Sequence, residues 1–488
     1  MRGGHPRPRT HEPRESAVVV GGGISGLLAA RELAVAGLSV TILEASQEWG
    51  GCVGSHVVAG LHLDSGAESF ATRSTAVADL ARELGLADNI VAPHPGGAWV
   101  QLPDGPQELP KTGVLGIPAN PWDPEVRRSL GLMGAIRASA DRWLPASVGT
   151  SVDVTSVSSL VRSRMGKKVL ERLVAPVVGG VHSADPGLLD VDMVAPGLRA
   201  GIRKHGSLAA AVAAQRSVSQ GKASGPAKAG SAVAGLKGGM NTLVAALVGD
   251  LQRRGVELQA GQRAEAVVKT SLGWHVTAGD STYDAGRLVV ALDGPAAVGL
   301  LEPCLPELSG LRPAPGPLVS LVTMVVDLPE LDRRPRGTGI LVAPQTPGIK
   351  AKALTHATAK WDWLAEEAGP GTHVLRLSYG RREEAAGGAD VVLDEGSLLD
   401  AALEDASILL TVRVSRSDIV DWDVVRWSGA LPFAAVGHKQ RVAQVRKVCA
   451  EVDGLTVVGG WLAGNGLAAV VADTRAQLAA AFAHKPSL

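Results

Sequence analysis

The feature that constrains this chain most is a glycine spacing near its beginning. Gly21, Gly23 and Gly26 stand in G-x-G-x-x-G order directly after the apolar run Ala17–Val20. LLAARELAVAG (27–37) then reads as a helix and LSVTILEA (38–45) as a second strand. Strand, glycine turn, helix and strand within about 30 residues form a βαβ unit of a parallel sheet. The first glycine permits a tight turn, the second lets the backbone approach a pyrophosphate, and the third lets the helix pack closely on the strand. The phosphates then face the helix N-terminus. Glu44, eighteen residues beyond Gly26, closes the second strand and is placed to accept hydrogen bonds from an adenosine ribose while repelling a 2′-phosphate.

NAD and FAD both satisfy this pattern. Five residues past Glu44 comes Trp49-Gly50-Gly51-Cys52, whose double glycine suits backbone passing close to a longer, buried FAD. There is no second G-x-G-x-x-G to hold a nicotinamide partner, which favours a flavin reduced by substrate and reoxidised by something else. Further on, Gly459-Gly460-Trp461-Leu462-Ala463-Gly464-Asn465-Gly466-Leu467 leads into a helix whose first amides are placed to meet a flavin, and Trp461 suits either ring contact or core filling.

Composition excludes several classes. Lys+Arg and Asp+Glu both total 48, so the chain lacks the cationic excess of a general nucleic-acid binder. Cys52, Cys304 and Cys449 are too dispersed for a disulfide scaffold or a zinc finger. No uninterrupted apolar run reaches the ~18 residues of a membrane span, and the opening residues have no signal-peptide core. The expectation is a soluble, cytoplasmic protein. Its 488 residues suggest about three domains.

The predicted fold class is α/β: a discontinuous Rossmann-like FAD-binding domain, a mixed-sheet substrate-binding domain and a helical insertion. Residues 1–15 are expected as a disordered tail, and 16–86, 236–296 and 443–486 as the FAD-binding domain. Residues 87–122 and 297–442 are assigned to the substrate-binding domain and 123–205 to the helical domain. The Ala/Ser/Gly/Lys-rich stretch 206–235 reads as a flexible loop after a short helix.

With these pieces in order, the chain resembles the flavin-dependent protoporphyrinogen/coproporphyrinogen oxidases of the amine-oxidase superfamily. LDSGAESFATR (63–73), LPKTGVLGIPAN (109–120), APVVGGVHSADPGLLDVD (175–192), HGSLAAAV with LKGGMNTLVAAL, ALPFAAVGHKQRV (430–442) and VVGGWLAGNGLAAVV (457–471) resemble that family's segments in sequence order. The last is similar to the actinobacterial form, which favours coproporphyrinogen III as substrate with protoporphyrinogen IX second. The resemblance implies six electrons removed in three flavin cycles, with O2 as acceptor, H2O2 as product, a place in haem biosynthesis and peripheral membrane contact in some relatives. It places FAD against Gly21, Gly23, Ile24, Ser25, Gly26, Glu44, Ala45, Ser46, Gly50, Gly51, Gly66, Ala67, Glu68, Ser69, Ala264, Gly460, Trp461, Gly466, Leu467 and Ala468. Four propionates call for cationic clamps, and Arg73, Lys111 and, more remotely, Arg203 lie in or near family-like segments. No metal site and no catalytic acid–base triad are expected. Glu48 and Cys52 flank the double glycine where relatives carry basic residues, Ala67 replaces a proline, and Ala434 stands where a tyrosine is expected. Other readings on the same fold are an amine oxidase, a carotenoid-type desaturase or a non-catalytic flavin-binding module.

Overall fold

The strand Ser16–Val20 is apolar and buried from Ala17 onward because both faces of its sheet are covered. A computed structural model of the protein describes residues 15–110, 113–220, 232–380, 394–429 and 434–483. Ser16–Val20 sits at the centre of a five-stranded parallel sheet, flanked by Ser39–Glu44 and Glu257–Ala260 on one side and by Arg287–Val290 and Leu455–Val457 on the other. The helices Ile24–Val35, Asn241–Arg253 and Leu467–Ala483 share one core against this sheet, with Leu27, Ile42, Leu243 and Val471 fully buried. The opposite core holds Trp274 and Val276 from the antiparallel meander Ala266–Ala285, together with Leu301 and Val445.

Arg31 ties the first helical layer together. Its guanidinium pairs with Asp250 at 3.0 Å and Glu83 at 2.9 Å, and Arg475 bonds the same Glu83 at 2.6 Å and Glu32 at 3.1 Å.

A second, seven-stranded sheet runs in the order Ile419–Trp427, Val319–Asp327, Thr372–Tyr379, Ala353–His356, Gly339–Val342, Trp99–Leu102, Gly105–Glu108. Its pairings are antiparallel except for one parallel contact between Gly339–Val342 and Trp99–Leu102. The helix Glu395–Leu410 packs Leu399, Ala402 and Leu409 onto it.

The third layer is helical, from Pro124–Ser139 to Leu208–Gln220. Its core includes Val157, Leu160, Val178 and Val212. Arg164, fully buried, is neutralised by Asp141 at 2.5 Å and donates to the carbonyls of Pro145 and Val148. Such a pair defines geometry more than it adds stability.

Two expectations change. The stretch 206–235 is not one loop: it opens with the helix Leu208–Gln220, anchored by buried Leu208, Ala211 and Val212, and closes on the strand Val233–Leu236. Residues 221–231 lie outside the described residues. Of the expected tail, 1–14 lie outside them too, but Glu15 pairs with Arg287 at 2.7 Å and its carbonyl accepts from Ser39. No described helix is long and apolar enough to cross a membrane.

Candidate functional site

The glycine turn shows a division of labour. Gly21 has φ +107°, and a methyl there would meet the Ala291 carbonyl oxygen at 2.5 Å. A methyl on Gly26 would stand 1.8 Å from the Gly21 oxygen, so this glycine exists for packing. Gly23 has ordinary φ of −68° and open space where its side chain would be. Only Gly23 is thus free of a packing reason, and its emptiness faces the cavity described below: a cradle for a group that needs close backbone approach.

Glu44 closes the neighbouring strand with its carboxylate fixed, accepting from the Gly22 amide at 2.7 Å and the Ser46 amide at 2.8 Å. Two oxygens carry about four acceptor positions, so capacity remains for ribose hydroxyls. Gly50 bonds back to the Gly22 carbonyl at 2.8 Å, which holds the double glycine beside the turn. Cys52 brings no charge to the double glycine, since burial pushes its thiol pKa up. Its carbonyl accepts from Ala67, joining this segment to the next.

A single cavity of about 2280 Å³ extends from this turn. Gly21, Gly23, Ile24, Ser25, Glu44, Ser46, Gly50 and Gly51 line one end. Gly66, Ala67, Glu68, Ser69, Gly460, Trp461, Gly466 and Leu467 also line it, and Leu341, Thr355 and Ser378 of the mixed sheet face Val177, Gly180, Ala211 and Ala214 of the helical layer. Typical small-molecule pockets occupy about 300–1,000 Å³, so this one has room for more than one ligand.

Glu68 is the electrostatic hub. Lys360 approaches one carboxylate oxygen at 2.5 Å and Arg376 the other at 2.8 Å. Burial alone would raise its pKa, but Arg376 and Lys360 outweigh that and hold it at about 2. Arg376 also donates to the carbonyls of Asp64 and Gly66, so the segment 64–69 is pinned to the mixed sheet. Asp64 behaves oppositely: burial pushes it to about 6 despite amide hydrogen bonds and nearby Arg376.

The expected residues divide as follows. Gly26 and Ala468 are buried packing positions, and Ala45 is exposed away from the cavity lining. Ala264 packs against the meander core and also does not line the cavity. Arg73 lines the cavity and is exposed; Lys111 lies outside the described residues; Arg203 donates to the Thr150 carbonyl at 3.0 Å and does not line the cavity. Trp461 is buried against Gly294 and Gly459 and also lines the cavity. Its carbonyl binds His438 Nε2 at 2.7 Å. Ala434 packs in the helical core, its carbonyl accepting from Asp190 at 2.8 Å. Lys360, Arg376 and Arg216 were not anticipated, because nothing in their local sequence marks them as neighbours of the glycine motifs.

Comparison with known proteins follows the same lines. Coproporphyrinogen III oxidase of Mycobacterium leprae is 29% identical over 464 residues, covering 93% of this chain and 96% of the relative. Coproporphyrinogen III oxidase of Bacillus subtilis is 27% identical over 464 residues, covering 93% and 95%. A crystal structure from Exiguobacterium sp. 255-15, provisionally assigned as a protoporphyrinogen oxidase, superposes with a TM-score of 0.78 at 25% identity, covering 96% of this chain and 99% of that one. The profile of flavin containing amine oxidoreductases matches residues 24–474. The chain belongs to that family of oxidoreductases, and its cofactor is FAD.

Proposed function

We propose that this flavoenzyme oxidises a porphyrinogen, with coproporphyrinogen III as the preferred substrate and the step placed in haem biosynthesis. The observation that carries the reading is the continuity of the cavity from the Gly21–Gly26 turn into the space between mixed sheet and helical layer. Its volume suits a dinucleotide and a macrocycle side by side, and its relatives of matching length are coproporphyrinogen III oxidases. Cations on the lining favour an anionic substrate over an amine or an uncharged polyene.

Oxidation to the porphyrin removes six electrons and six protons. FAD, when bound, supplies the two-electron redox chemistry, used three times per substrate, and O2 is the acceptor, giving H2O2. The chain's own part is orientation and exclusion. Gly23 and Glu44 hold the dinucleotide end, the Glu68–Arg376 pair fixes the segment 64–69, and the apolar faces of Val177, Leu341 and Ala211 exclude water from the macrocycle. Because aromatisation drives the change, no dedicated base is required. The reading places the protein in the cytoplasm. Peripheral membrane contact would fall on the helical layer, where Leu132, Met133, Ile136 and Trp143 are exposed.

The test is porphyrin fluorescence appearing when the yellow protein meets coproporphyrinogen III, with protoporphyrinogen IX assayed in parallel. Coproporphyrinogen is expected to turn over faster, and anaerobic substrate should bleach the flavin band, which returns on admission of air. Absence of porphyrin from both substrates would reject the function. Bleaching that air does not reverse would reject O2 alone.

A further inference from the structure

Among the described residues, four Lys or Arg side chains line the cavity: Arg73, Arg216, Lys360 and Arg376. Lys360 and Arg376 share the carboxylate of Glu68. Glu44 is held by backbone amides and Asp293 caps the helix Gly294–Leu301, so neither neutralises the remaining pair. Arg73 and Arg216 have no ion-pair partner among the described residues.

The two arginines come from different layers. Arg73 follows the short strand Phe70–Ala71, whose continuation bonds to Ala232 beside the parallel sheet. Arg216 belongs to the helix Leu208–Gln220, whose Ala211, Ala214 and Gln215 also line the cavity. These three positions follow the i, i+3, i+4 spacing of one helix face. Gln215 is anchored to the Pro196 carbonyl at 3.3 Å, which fixes that face toward the cavity and leaves half-buried Arg216 beside it. A guanidinium so placed, half-buried and without an ion-pair partner among the described residues, is suited to a planar anion that arrives with the substrate.

We propose that Arg216 is a specificity-determining residue that binds a carboxylate of the substrate, working with Arg73 to select a tetracarboxylate macrocycle over a dicarboxylate one. The inference rests on the porphyrinogen reading and adds the selecting residue to it. A macrocycle with carboxylates around its whole rim presents one to each arginine, while one with two on neighbouring rings satisfies a single wall.

The experiment is a fluorescence-quench titration of the FAD-loaded protein with coproporphyrin III and with protoporphyrin IX, in wild type, Arg216→Gln and Arg216→Lys. Arg216→Gln should weaken coproporphyrin III binding about tenfold or more, the scale of one charge-assisted contact, and protoporphyrin IX binding by less than about threefold. Arg216→Lys should recover part of the loss, and the flavin-to-protein ratio of both variants should match wild type. Unchanged coproporphyrin III affinity in a flavin-loaded Arg216→Gln protein overturns the clamp and leaves the porphyrinogen reading standing, as do equal losses for both porphyrins. A wild type that neither binds coproporphyrin III nor oxidises its porphyrinogen overturns both. If Arg216→Gln loses flavin, Arg216→Lys carries the decision: coproporphyrin III affinity equal to wild type, in a variant lacking the planar fork, counts against the clamp.

Discussion

At the residue scale, the three glycines of one motif do different physical work, and substitution separates them. Gly23→Ala should leave the protein without cofactor as stable as wild type, because the new methyl meets no heavy atom within 4 Å. It should weaken FAD binding about tenfold or more, since it fills the space reserved for backbone approach to the pyrophosphate. Gly26→Ala should instead destabilise the fold itself, by ~3 kcal/mol, because its methyl collides with a backbone oxygen that has nowhere to go. Chemical unfolding and flavin titration of the two variants check this; equal loss of stability in both would contradict the division. The sequence made this site legible because turn, phosphate approach and helix packing are all local demands, answered within six residues. The motif already assigned Gly23 to the ligand and Gly26 to packing; what it could not show is the neighbour that confines Gly21, the carbonyl of Ala291, 265 residues beyond Gly26.

At the scale of elements, what was local was readable and what was distant was not. The helix Asn241–Arg253 and the strands Val319–Asp327 and Thr372–Tyr379 carry their apolar patterns within their own residues. The helix Leu208–Gln220 was read only as a short helix ahead of a loop, because its Ala- and Ser-rich composition resembles a linker; tertiary burial of Leu208 and Val212 decides its extent. Glu68 could be placed by its segment, but Lys360 lies 292 residues away and Arg376 on another sheet. Their pairing makes a pH prediction. Glu68 titrates at about 2 against an ordinary 4.5, so the stability it contributes is full above about 4.5 and disappears as pH falls toward 2. Glu68→Gln should therefore cost about 3 kcal/mol near neutrality, by stranding two partly buried cations, and the difference from wild type should shrink in denaturant titrations run from pH 4.5 downward. Asp64 works in the other direction. Its raised pKa of about 6 favours the neutral acid in the folded chain, and that contribution is present below 3.8 and lost as pH rises through 6. A pH-independent cost of Glu68→Gln would show that packing, not charge, holds the segment.

At the scale of the whole molecule, one cavity is walled by residues from Gly21 to Val470, drawn from the parallel sheet, the mixed sheet and the helical layer. No single layer encloses it, which is why the sequence could name the layers without showing that they meet over a shared space. A ligand that requires all three in place binds the folded arrangement and not the unfolded chain, so it stabilises by mass action, about 2.7 kcal/mol at a hundredfold excess over Kd. Stripping the flavin should therefore lower the thermal unfolding midpoint, and added FAD should restore it in a concentration-dependent way. FMN should restore much less, because it lacks the adenosine half that Glu44 is positioned to receive. Gly23→Ala should blunt the FAD response while sharing the midpoint of the stripped wild type, since only the loaded state feels the added methyl. An unchanged midpoint across saturating FAD would mean that the dinucleotide does not bridge the layers, and the shared cavity would lose its role as the feature that joins nucleotide turn to macrocycle.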